Sequence, residues 1–237
     1  NMKKIILVIL IIKILILLIK KINIDHFDND YYINHYIEKA YPVKINILNN
    51  FINKKDIDYI IKNTKKHLKD STIVGENGNQ ISNWRTSKTV FINKFLGEDN
   101  YVIKKINKKV SKILNINEKN LESINLTYYN KGNQYKNHHD YFDPKNSKGD
   151  IDSLKESGQR LYTIFVYLKN AEEGGETNFP KLNKKFKLKE GDAILWENAK
   201  IENGKCILNT NTLHAGLPPL KGEKYGMNIW IREREVS

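Results

Sequence analysis

The apolar positions of this chain fall into three textures. The first is an unbroken run. Ile5 to Ile19 is isoleucine, leucine and valine, interrupted only by Lys13. Such a run is apolar on every face, whereas a helix that docks on a domain shows one stripe. It falls short of the ~20 residues of a comfortable bilayer span, and a central lysine is costly there. No small-residue cleavage site follows it. The expectation is an uncleaved signal-anchor over residues 1–22, placing the protein at an endoplasmic reticulum or secretory-pathway membrane. Lysines flank both ends, so a cytosolic face stays open. Residues 23–45 are polar and aromatic without a period and predict a linker.

The second texture has helical spacing. Residues 54–69 place Ile57, Ile60, Ile61 and Leu68 on one face, and residues 101–114 turn Val102, Ile103, Ile106, Val110 and Ile113 inward. Residues 70–83, rich in Gly, Asn and Ser, predict a loop. From about residue 122 the third texture appears: short alternating or apolar runs between turn residues, among them SINLTYY, RLYTIFVYL, DAILWE and GMNIWIRER. Many short strands with Gly, Pro and Asn turns predict a sandwich or barrel. The fold class expected is mainly β with flanking helices. One domain would cover residues 46–237, with helical support over 46–121 and the β core over 122–237. The polar stretch 143–158 predicts a long loop, a candidate lid over a groove.

Composition adds little to this picture. The net charge is +13, which suits an anionic polymer or a membrane surface. Yet Ile, Asn and Lys crowd the whole chain and the lysines form no block, so compositional bias explains the charge better than a nucleic-acid patch does. The lone Cys206 excludes an intrachain disulfide. The triplet Asn125-Leu126-Thr127 fits a glycosylation acceptor but sits in a predicted strand.

Candidate chemistry centres on His138-His139-Asp140. Side chains alternate along a strand, so His138 and Asp140 share a face and His139 takes the other. A His and a carboxylate so placed can grip one metal, and His214 offers a third ligand. Two His and one carboxylate suit a non-haem Fe(II) oxygenase with open coordination positions. Lys224, ten residues after His214, can reach the same cavity and pair with a carboxylate of a keto-acid co-substrate.

The blocks YNKGNQYKNHHDYF, RLYTIFVYLKNAEEGGETNFP, FKLKEGDAILWEN and LHAGLPPLKGEKYGMNIWIRE follow one another in an order that resembles the collagen-type prolyl 4-hydroxylases. The likeness is clear over residues 122–235, weaker over 46–121, where WRTSKTVF matches an Arg-x-Ser stretch, and absent from the first 45. It implies a double-stranded β-helix, a jelly roll, with iron at one end. It implies that His138, Asp140 and His214 bind Fe(II) and that Lys224 binds the distal carboxylate of 2-oxoglutarate. Tyr129 and Thr163 would line the co-substrate pocket, and Tyr135, Arg160 and Trp230 the peptide groove. Arg232 stands where many relatives carry a His near the substrate. The implied reaction is hydroxylation of proline in a proline-rich or collagen-like peptide, with O2 consumed and ascorbate as reductant. No disulfide-isomerase partner is expected, because the small monomeric members are the better match. A nucleic-acid demethylase or a lysyl hydroxylase would more usually carry Arg at the position of Lys224. A non-catalytic barrel would have lost a ligand, and none is lost here.

Overall fold

The computed structural model describes residues 34–75 and 78–236, with positions 13, 14 and 31. All but two residues of the Ile5–Ile19 run lie outside the described residues, as do the expectations drawn from it. Among the described residues no helix is long and apolar enough to cross a membrane.

Two antiparallel sheets make the core. The larger runs Asn46–Leu48, Ala193–Glu197, Arg160–Lys169, Lys224–Arg232, Asn125–Tyr129, Lys88–Phe91 and Lys69–Asp70 in spatial order. The smaller runs Lys184–Phe186, Thr177–Phe179, His214–Gly216 and Tyr135–His138. This is the jelly-roll arrangement that the alternating runs predict. Between the sheets pack Phe165, Tyr167, Phe179, Ile194 and Trp196. Gly226 makes room there: a Cβ would lie 2.2 Å from Cζ of Phe165, so only glycine lets that ring cross the neighbouring strand.

Helices cover the outer face of the larger sheet. The helix Lys54–Thr64 starts at Asn53, whose side chain accepts the Asp56 amide, and it buries Ile57 and Ile60. The helix Tyr101–Leu114 starts at Asn100 and ends at Asn115 in left-handed conformation. It buries Val102, Ile103, Ile106 and Val110 against Leu126, Ile164, Val166, Met227 and Ile229 of the sheet. Each such side chain contributes about 1.5–3 kcal/mol by leaving water. Ile113 departs from its expected inward position and is 40% exposed. Ile61 and Leu68 are only partly buried at the edge of the same cluster, because the helix tightens into a 3-10 turn at Lys65–His67.

Three segments differ from their sequence-based expectation. Residues 70–83 are no simple loop: Thr72–Gly75 and Gly78–Ile81 pair as antiparallel strands. Within 143–158, expected as a loop, Lys148–Ser157 is a helix. Its signals were a cap and a stop: the Ser147 hydroxyl accepts the Asp150 amide, and Gly158 follows the last turn. Within the expected linker, Tyr36–Lys39 forms a strand paired in parallel with Lys205–Asn209, and Tyr36 is buried.

Candidate metal and co-substrate site

His138 and His214 are cross-strand partners in the smaller sheet, which brings their ring centroids to 4.2 Å. The strand expected through Asp140 stops at His138, and Asp140 lies in the bend after it. The bend still returns the carboxylate to the histidines. His138 Nε2 lies 3.7 Å from Asp140 Oδ1, and His214 Nε2 lies 3.7 Å from Oδ2. The three ligand atoms fall within 4.8 Å of one another.

Backbone carbonyls fix which ring nitrogen faces the carboxylate. His138 Nδ1 donates to the Lys136 carbonyl at 2.7 Å, and His214 Nδ1 to the Thr212 carbonyl at 2.9 Å. The proton therefore sits on Nδ1, and both Nε2 lone pairs point inward. Burial, with His214 beside it, pushes His138 well below the ordinary imidazole range. Burial alone would raise Asp140, but His214, His138, Arg160 and the Thr163 hydroxyl together hold it at about 2. His138 is thus held neutral and Asp140 ionised, as metal binding requires of an imidazole and a carboxylate.

Thr163, matched at the sequence level to the co-substrate pocket, holds the metal carboxylate. Its hydroxyl donates to Asp140 Oδ2 at 2.7 Å and accepts from Asn198 Nδ2 at 2.8 Å. Trp196 Nε1 donates to Asn198 Oδ1 at 2.7 Å. Sequence reasoning missed Asn198 and Trp196; the block DAILWEN carried both, but only their place beside Thr163 on the next strand reveals their use.

Lys224 is 1% exposed. Its amine lies 4.9 Å from the Phe165 ring centre and 5.4 Å from that of Tyr129. Among the described residues no carboxylate lies within ion-pair distance of it. Burial pushes the amine down to about 7, with Glu176 pulling the other way. A buried cation without a counter-ion fits an anionic ligand group. Two imidazoles and one carboxylate on one side of a centre fit Fe(II) with open positions. The residues therefore suit both halves of a metal-chelating, carboxylate-bearing co-substrate.

Beside the metal ligands opens a cavity of about 760 Å³. Tyr135, Arg160, Trp230 and Arg232 all line it. Tyr135 stacks on His138 with centroids 3.5 Å apart. Arg160 lies 3.9 Å over the Trp230 ring and forms a bidentate pair with Glu122, both bonds 2.7 Å. Arg232 is held at the wall of the cavity. It donates to Glu122 at 3.2 Å and to the carbonyls of Ser153 and Gly158 at 2.5 and 2.7 Å, tying the 148–157 helix to the sheet.

The family model of the 2OG-Fe(II) oxygenase superfamily matches residues 124–232. A candidate prolyl 4-hydroxylase of Acanthamoeba polyphaga mimivirus is 33% identical over 191 residues, covering 81% of this chain and 75% of the relative. Prolyl 4-hydroxylase 1 of Arabidopsis thaliana is 30% identical over 214 residues, covering 84% and 72%. Among solved structures, the viral collagen prolyl hydroxylase of Paramecium bursaria Chlorella virus-1, in complex with 2-oxoglutarate, superposes with a TM-score of 0.61 at 33% identity. That match covers 79% of this chain and 95% of the other. With an iron-type triad at one end of a jelly roll and a buried, unpaired lysine behind it, the chain belongs to the prolyl 4-hydroxylases of the 2OG-Fe(II) oxygenase superfamily.

Proposed function

We propose that the protein hydroxylates C4 of peptidyl proline, consuming 2-oxoglutarate and O2 and releasing succinate and CO2. The observation that carries this reading is the buried His138, Asp140 and His214 cluster beside an aromatic-lined cavity, together with the buried Lys224 of the larger sheet, which has no carboxylate within ion-pair distance among the described residues. Iron held by the triad supplies oxidative decarboxylation coupled to hydroxyl transfer. The chain's own residues do the positioning. Asp140, locked by Thr163, and the two Nε2 atoms would hold the metal. Lys224 gives the co-substrate a single orientation by holding its far carboxylate. Tyr135 and Trp230 present flat apolar surfaces to a proline ring, which has no charge to grip. Ascorbate serves as reductant in this reading, and the N-terminal run anchors the domain to a secretory-pathway membrane.

The test is direct. The full chain, given Fe(II), ascorbate and 2-oxoglutarate, is presented with proline-rich peptides and the products are weighed by mass spectrometry. A 16 Da gain on proline, lost in His138→Ala, is expected. Succinate without any oxidised peptide would overturn the prolyl substrate while leaving the dioxygenase chemistry standing.

A further inference from the structure

The groove beside the metal has a charge opposite to that of the rest of the chain. The protein carries 40 Lys and Arg against 27 Asp and Glu. Its large cavity nevertheless has six carboxylates in its lining, three arginines and no lysine. The arginines are largely committed. Arg160 and Arg232 share Glu122, and Arg85 lies 4.6 Å over the Tyr135 ring on the opposite wall. Asp140 belongs to the metal. What remains unbalanced is a pair of carboxylates on the wall formed by residues 143–150.

Asp143 and Asp150 stand on that wall. The Asp143 carboxylate accepts the Lys145 amide at 2.9 Å. Asp150 is 6% exposed and accepts from the Asn146 side chain at 2.8 Å. Neither has a cation within ion-pair distance among the described residues. Two like charges left together at the edge of a cavity are unfavourable until a cation joins them.

The same cavity also carries polar groups left without partners. Asn125 is 2% exposed and lines it, yet its Oδ1 is buried without a hydrogen-bond partner; so is Nε1 of Trp230. A buried acceptor and a buried donor left unpaired cost about 1–3 kcal/mol each. An extended peptide backbone offers the complementary N–H and C=O groups, and its side chains then fall against the acidic wall.

We infer that the substrate is a proline peptide carrying a lysine or arginine close to the target proline, received by Asp143 and Asp150. This rests on the proposed prolyl hydroxylation and adds a charge rule to it. The rule selects against acidic peptides, which the abundant lysines elsewhere on the surface would otherwise attract.

The experiment uses the full chain loaded with Fe(II) and 2-oxoglutarate. One fluorescent proline-rich peptide is made with a single Lys, Gln or Glu, moved through about three positions on each side of the proline. Dissociation constants come from anisotropy, and hydroxylation is read in parallel by mass. At one or more positions the Lys peptide should bind about fivefold to tenfold tighter than Gln, with Glu weakest, as charge-assisted contacts at a half-buried site give. The advantage should shrink in high salt. Asp143→Asn should flatten the ranking, and Asp143→Lys should invert it. Equal affinities at every position, or a ranking unmoved by both variants, would overturn the inference. Because anisotropy needs no turnover, failure of hydroxylation would count against the prolyl reading alone.

Discussion

Arg160 and Lys224 are two cations drawn into this barrel, and they are provided for in opposite ways. Arg160 at the open end is clamped by both oxygens of Glu122, which Arg232 also touches. Lys224 has aromatic walls and, among the described residues, no carboxylate within ion-pair distance. Removing one partner of a buried ion pair strands the other, so Arg160 is part of the fold's own electrostatics. Lys224 is stranded already, and the fold bears that cost until an anion arrives. The contrast separates a residue that shapes a site from one that waits for a ligand.

The largest effect should come from breaking the waiting cation. Lys224→Met should raise the KM for 2-oxoglutarate about 100-fold or more, as loss of a buried charge partner does. The same change should stabilise the ligand-free protein by about 1–2 kcal/mol, since an unpaired buried amine is gone. Chemical denaturation without co-substrate checks the second half. Arg160→Met should show the opposite sign, losing about 3 kcal/mol because Glu122 keeps only Arg232. Two variants that both destabilise would erase the comparison.

A gentler probe is pH. Lys224 titrates near 7 when folded and at about 10.5 as a free side chain. Between those values the unfolded chain holds more protons, so ligand-free stability should rise with pH across that window. The co-substrate needs the protonated amine. Its affinity should therefore fall above pH 7, by up to about tenfold per pH unit, with one proton taken up on binding. Calorimetry in buffers of different ionisation enthalpy reads that proton. A pH-independent affinity would place the distal carboxylate elsewhere. The smallest expected effect is at the support of the metal carboxylate: Thr163→Val should weaken Fe(II) binding about tenfold.

How much of this was legible beforehand follows the range of the interactions. His138, Asp140, His214 and Lys224 sit in short runs whose spacing and order are informative, and the structure brings the three ligands together. The sheet was legible because alternation is local. The 148–157 helix was not, since Ile151 and Leu154 are its only large apolar residues and its cap was the sole strong signal. The resemblance places Thr163 beside the co-substrate and Arg232 at the substrate groove, and Arg232 lines that cavity. Their roles as a prop for Asp140 and a tie to the helix depend on neighbours 23 and 79 residues away. No window along the chain contains those partners.

The strand at Tyr36–Lys39 changes where this enzyme can be cut. It covers one edge of Lys205–Asn209, whose other edge pairs with Ala199–Glu202. Its Glu38 accepts the Tyr141 hydroxyl at 2.8 Å and reaches the rim of the groove. A version trimmed to residue 46 would expose a strand bearing Ile207 and Leu208, an invitation to self-association. It would also delete a carboxylate from the substrate entrance. The strand that guards this edge and a carboxylate at the rim of the groove are therefore one piece of chain. Tension, cleavage or a fused tag ahead of residue 36 would be felt at the groove, a consideration for anyone who handles this protein on a surface or as a fusion.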